Sequence, residues 1–156
     1  MTKNEYKTLT PPNAFIPDTP NDNKIDELPV GLETSVSWTV NTDDLNTFIN
    51  LSGDKNPLHI NEQYAVQNGF ESTVVHGFLI CAKISGLIGM LLPGQRCLLV
   101  SEELEFPNPL YLNDHVEICA RIKERHYDLK LVKLKILVKK GSITVARGNI
   151  ICKILF

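Results

Sequence analysis

Ser52-Gly53-Asp54-Lys55-Asn56-Pro57-Leu58-His59 is the stretch of this chain with the most evident chemistry, because it sets a carboxylate and an imidazole five positions apart. On a continuous α-helix that spacing puts two side chains roughly 140° apart around the axis. Pro57 breaks any continuing helix, and Asn-Pro favours a turn. Across a turn, Asp54 and His59 can reach the same side and hold one water between two polarising groups, as hydration chemistry requires. By residue type alone, the commoner account of an acid and a histidine beside a turn is a solvated pair or a turn cap. Both accounts stand at this point.

A second cluster follows at Val74-Val75-His76-Gly77, where a long apolar run begins. The first N–H groups of a helix have no partner inside it, and the helix dipole favours negative charge there. The Gly77 N–H could stabilise an enolate-like oxygen approaching the backbone. Equally, Gly77 could ease a tight turn into a crowded helix. Ser85, eight residues on, is polar within the apolar run. It could bond the Asp54 carboxylate or the carbonyl one turn back in its own helix. Lys83 is the single charge of the run, with a stem that can lie along apolar surface while the amine reaches out.

The elements that must position these groups are legible from periodicity. Five of the nine prolines fall within the first 31 residues among Asn, Asp and Thr, which predicts an extended or disordered N-terminal arm over 1–31, with a compact domain over 32–156. Phe15 and Ile16 are the only apolar pair in the middle of the arm. Val36, Trp38 and Val40 alternate with polar residues as in a half-buried strand. Thr42 is placed to cap a helix carrying Leu45, Phe48 and Ile49 on one stripe, and Gly53 to end it. Phe78 to Leu92 is apolar almost all round and predicts a fully buried helix. Gly86 and Gly89 would let it approach a sheet, and Pro93-Gly94 would stop it. After it, Leu98, Val100, Leu104 and Phe106 are predicted to share one strand face. Val116 to Ile122 and Val132 to Val138 alternate cleanly, and Lys140-Gly141-Ser142 reads as a turn into a last strand over 143–154. The plan is α+β: one strand, a buried helix, then an antiparallel meander curled around it.

Composition excludes several classes. A net charge of -2 gives no overall pull toward nucleic acid or an anionic membrane. Phe78 to Leu92 is too short to span a bilayer, which takes about 20 apolar residues. Cys81, Cys97, Cys119 and Cys152 are widely spaced, with neither a CxxC nor a histidine at ligand spacing, so they read as buried thiols and no metal site is expected. No apolar run follows the first five residues, so no secretory signal is read and a cytoplasmic location is the default.

Ser52 to His59, followed by His76-Gly77 and Ser85-Gly86, closely resembles the hydratase-2 motif of MaoC-like (R)-specific enoyl-CoA hydratases. The resemblance extends in element order over roughly 32–154. It implies a hot-dog fold, a homodimer or higher homo-oligomer, and reversible addition of water to a trans-2-enoyl thioester of coenzyme A or an acyl carrier protein, without a cofactor. It also implies roles. Asp54 and His59 match the catalytic dyad, Gly77 the backbone donor to the thioester carbonyl, and Ser85 the serine that supports the dyad. Asn56 matches the asparagine that shapes the loop, and with His76 it is counted among the substrate-binding residues. The segment 64–75 would shape the acyl pocket. Two rivals remain: a hot-dog acyl-CoA thioesterase, and an acyl-thioester binding protein without turnover. The basic run from Arg121 to Lys140 reads as a solvated sheet face or as a surface for the phosphates of coenzyme A or an acidic carrier.

Overall fold

The computed structural model describes residues 16–156. Strand β1 (Glu33–Thr39) leads into four helices: α1 (Thr42–Ser52), α2 (Pro57–Ile60), α3 (Glu62–Gln67) and α4 (Gly77–Met90). Four longer strands complete the chain: β2 (Cys97–Glu105), β3 (His115–His126), β4 (Leu131–Lys140) and β5 (Ile143–Ile154). They form one antiparallel sheet in the order β1-β3-β4-β5-β2.

The alternation in β3 and β4 sets the core. Val116, Ile118, Ala120 and Ile122, and Val132, Leu134, Ile136 and Val138, are all 1% exposed or less. Leu79, Ile80, Ile84, Leu87 and Ile88 of α4 belong to the same buried cluster. Each large aliphatic side chain buried this way contributes about 1.5–3 kcal/mol of transfer free energy. Gly141, at φ 56, makes the β4–β5 turn where the sequence predicts it. Gly148 is needed for a different reason: a Cβ there would collide with the Glu103 carbonyl oxygen on β2.

Helix α4 departs from the expectation of full burial. Phe78 is 78% exposed, and Ala82 and Ser85 are exposed with it. A single sheet covers only one side of a helix, so an all-apolar helix has a bare side left over. Strand β2 lies at the sheet edge beside it, with Leu98, Leu99 and Val100 more than half exposed. A bulge between Leu99 and Ser101 breaks the expected alternation there.

Polar groups fix α1 against α4. Asn41, rather than Thr42, caps α1, its side chain accepting from Asp44 N–H at 2.8 Å. The Asp44 carboxylate accepts from Trp38 Nε1 at 2.7 Å and from Lys83 Nζ at 2.8 Å. Burial works to raise the Asp44 pKa, but these two bonds outweigh it and the net shift is downward. Lys83 therefore does not reach out to solvent: it ties α4 to the helix that launches the Asp54 loop.

Residues 16–31 of the arm, expected to be extended or disordered, pack against the domain; residues 1–15 lie outside the described residues. Asn21 and Asn23 bond the carbonyls that end α4: Asn21 N–H reaches Met90 O at 2.8 Å, and Asn23 Nδ2 reaches Pro93 O at 2.8 Å. Asparagines that read as disorder-promoting thus satisfy orphan helix-end groups. Ile16 packs beside Gly86, so that glycine makes room for the arm and not for the sheet, while Gly89 faces open space. Leu28 is fully buried. Accordingly, Leu28→Ala should cost about 2–5 kcal/mol in urea unfolding, whereas Val30→Ala, at a position 55% exposed, should change stability by no more than about 0.5 kcal/mol.

Candidate active site

Gly53 ends α1 at φ 73, a left-handed conformation that turns the chain out of the helix. Asp54 follows immediately. Its N–H donates to Ser52 Oγ at 3.1 Å, and its Oδ1 accepts from Asn56 N–H at 3.1 Å. Asn56 then caps α2, accepting from Leu58 N–H at 3.0 Å with Pro57 at the first helical position. The loop-shaping role of Asn56 is thus a capping role. His59 leaves α2 with Nδ1 2.6 Å from the Val74 carbonyl oxygen. A carbonyl can only accept, so Nδ1 carries the proton and Nε2 keeps its lone pair.

His76, expected among the substrate-binding residues, is 2% exposed. It stacks on His59 with ring centroids 3.8 Å apart and meets Phe48 at 5.0 Å on another side. Its Nε2 lies 3.2 Å from the Asp54 carbonyl oxygen and 3.8 Å from Asp54 Oδ2. Nε2 is therefore the protonated nitrogen, and Nδ1 is buried without a partner. Burial pushes the His76 pKa below the ordinary imidazole value, and His59 beside it acts in the same direction. The bond to the Asp54 carbonyl and the nearby carboxylate oppose both.

One carboxylate oxygen of Asp54, one nitrogen of His59 and one of His76 lie within 4.8 Å of one another. Three such groups could in principle hold a metal ion. The His76 nitrogen facing Asp54, however, is committed as a donor to a carbonyl, and two stacked rings do not aim their in-plane lone pairs at a common point. The set fits a water better: two hydrogen bonds of about 2.8 Å bridge that separation.

His59 borders a groove of about 430 Å³ lined also by Phe70, Val74, Val75, Gly77, Ile80 and the segment 106–110. Gly77 opens α4 at its edge, and its N–H meets no carbonyl among the described residues. A Cβ at Gly77 would sit 3.5 Å from the Phe106 ring, in ordinary contact. Packing does not demand glycine there, and Gly77 lines the groove. Phe70, Val74 and Val75 fall in the expected pocket segment, whereas Phe106-Pro107-Asn108-Pro109-Leu110 lies outside it. Its signal was the pair of prolines after a strand, which stiffens a loop. Ser85 is not brought to Asp54: among the described residues no hydrogen bond joins them. It sits on the bare side of α4 in a small crevice with Cys81, Leu99 and Glu102.

Residues 26–145 match the family model of the MaoC like domain. The chain belongs to the MaoC-like family. It is 30% identical over 129 residues to the (R)-specific enoyl-CoA hydratase of Aeromonas caviae, covering 81% of this chain and 96% of the relative. Over 129 residues, 83% of this chain and 82% of the relative, it is 27% identical to the 3-hydroxybutyryl-CoA dehydratase of Methylorubrum extorquens. The solved (R)-hydratase of A. caviae superposes with a TM-score of 0.77 at 28% identity, over 81% of this chain and 97% of that one. An unliganded R-hydratase of Pseudomonas aeruginosa gives 0.76 at 27% identity, over 84% of each chain. This MaoC-like domain has the hot-dog fold, with the antiparallel sheet as the bun and α4 as the filling. No helix among the described residues is long and apolar enough to cross a membrane.

Proposed function

We propose that this MaoC-like domain hydrates trans-2-enoyl thioesters to (R)-3-hydroxyacyl thioesters, or runs the reverse dehydration. The observation that carries the reading is His59, whose Nδ1–H is held by the Val74 carbonyl so that Nε2 is the nitrogen left to accept a proton, with a ring nitrogen within 4.8 Å of the Asp54 carboxylate and the side chain on the wall of a largely apolar groove. Asp54 and His59 orient one water and take its proton as its oxygen bonds to C3. The proton then returned to C2 completes the addition, and the thioester stays intact. The Gly77 N–H, at the positive end of α4, holds the thioester carbonyl as negative charge builds on its oxygen. No redox carrier enters this balance.

Coenzyme A thioesters are the proposed substrates, since the relatives of which the chain covers four fifths or more carry names specifying them. Four unpaired thiols suit a reducing compartment such as the cytoplasm. A thioesterase would release free thiol from an acyl-CoA, and a binding protein would leave the enoyl group untouched.

The test is loss of enoyl absorbance across trans-2-enoyl-CoAs of increasing length. Asp54→Asn and His59→Gln should each lower turnover by at least about 10²-fold on the best substrate while the protein stays folded. Near-full activity in either variant would remove that residue from the mechanism.

The bare side of α4 and the apolar edge of β2 support a homodimer built on that side, with Ser85 at or beside the contact. Light scattering should give a dimer or a larger assembly, and Leu99→Lys should weaken it. A monomer with full activity at working concentration would contradict this.

A further inference from the structure

His76 does not fit a packing role. A buried imidazole with one nitrogen unpartnered is a poor core residue where Phe48 and Val75 already make the surroundings apolar. A phenylalanine would fill the space beside Phe48 without a desolvated acceptor. Buried unsatisfied groups are rare, and each calls for a reason. The reason here lies at the other nitrogen. His76 Nε2–H holds the Asp54 carbonyl, and the flat face of the same ring backs His59. One side chain thus touches both members of the pair, while its 2% exposure keeps it from substrate. As the N-cap of α4, it also joins them to the helix that presents Gly77.

We infer that His76 is the positioning residue of the site: an imidazole that carries its proton on Nε2, leaves Nδ1 bare, and sets the distance and angle between Asp54 and His59. The inference rests on the reading of those two as the water-handling pair. Neutrality matters because a second cation stacked on His59 would oppose the imidazolium that forms when His59 takes the water's proton. Among the described residues, the charged or titratable groups in contact with His76 are Asp54 and His59.

The role makes stability and activity move in opposite directions. His76→Phe keeps a ring against His59 and Phe48, removes the orphan nitrogen and loses the donor to Asp54. Its unfolding midpoint should be no lower than wild type, yet kcat should fall at least about 10-fold with KM within about 3-fold, since positioning acts on the transition state and not on binding. His76→Gln places an amide donor at similar reach and should recover part of the lost kcat despite a lower midpoint. A packing residue would behave otherwise, with activity following the midpoint in both variants.

These kinetics are measured beside Asp54→Asn and His59→Gln on one enoyl-CoA. If the pair variants lose turnover and His76→Phe keeps kcat within 2-fold, the inference is overturned and the hydratase reading stands. If His76→Phe loses both midpoint and activity and His76→Gln is no better, His76 is a packing residue and the inference is again overturned. Failure of the pair variants themselves to lose turnover would overturn the hydratase reading and this role with it. Nitrogen-15 spectra of the wild-type imidazoles give a readout independent of turnover. At pH 6.5, where an ordinary imidazole is half protonated, His76 should be mostly neutral with its proton on Nε2. A charged His76, or one carrying its proton on Nδ1, contradicts the inference.

Discussion

The hydrogen bond from His59 Nδ1 to the Val74 carbonyl is the constraint on which the site depends. It decides which imidazole nitrogen can act as a base, and its acceptor is itself anchored. Val74 N–H donates to the Leu58 carbonyl at 3.1 Å, and Val74 forms a bridge with Tyr111. Val75 N–H donates to the Leu110 carbonyl at 2.8 Å. The two-residue segment before His76 is thus stitched to α2 on one side and to the 106–111 segment on the other. The wall of the groove and the orientation of the base come from the same few backbone bonds.

The sheet supports this arrangement indirectly. Its inner face buries one side of α4, fixing where the helix begins and so where the Gly77 N–H points. Asp44, bonded to Trp38 of β1 and to Lys83 of α4, holds the helix whose end releases the Asp54 loop. Charge-assisted bonds such as that from Lys83 are stronger than neutral ones, and this one spans two helices. The loop that carries Asp54 is therefore short, opened by Gly53 at the end of α1, closed by the Asn56 cap of α2 and rooted in rigid elements, as the narrow tolerances of acid–base chemistry require.

Much of this was legible in the sequence because the signals were local. Period-two alternation in β3 and β4 placed the core, Gly53 and Asn-Pro placed the turn, and Asp54 with His59 stood out within eight residues. What escaped depended on neighbours distant in sequence. The packing of 16–31 rests on asparagine side chains meeting the end of α4, about 70 residues away. The bare face of α4 could not be read from an all-apolar run, since composition does not say how many sides are covered. His76 announced itself only as a histidine before a glycine; its stack on His59 and its bond to Asp54 are products of the fold. Among the described residues, no hydrogen bond joins Ser85 to Asp54.

The central claim is that one water, held by one pair on one side of the groove, adds to one face of the double bond. Chiral analysis of the 3-hydroxyacyl product formed from a trans-2-enoyl-CoA tests it most directly. The account requires a single enantiomer, and the likeness to (R)-specific hydratases specifies its hand as (R). A racemic or (S) product would contradict the account.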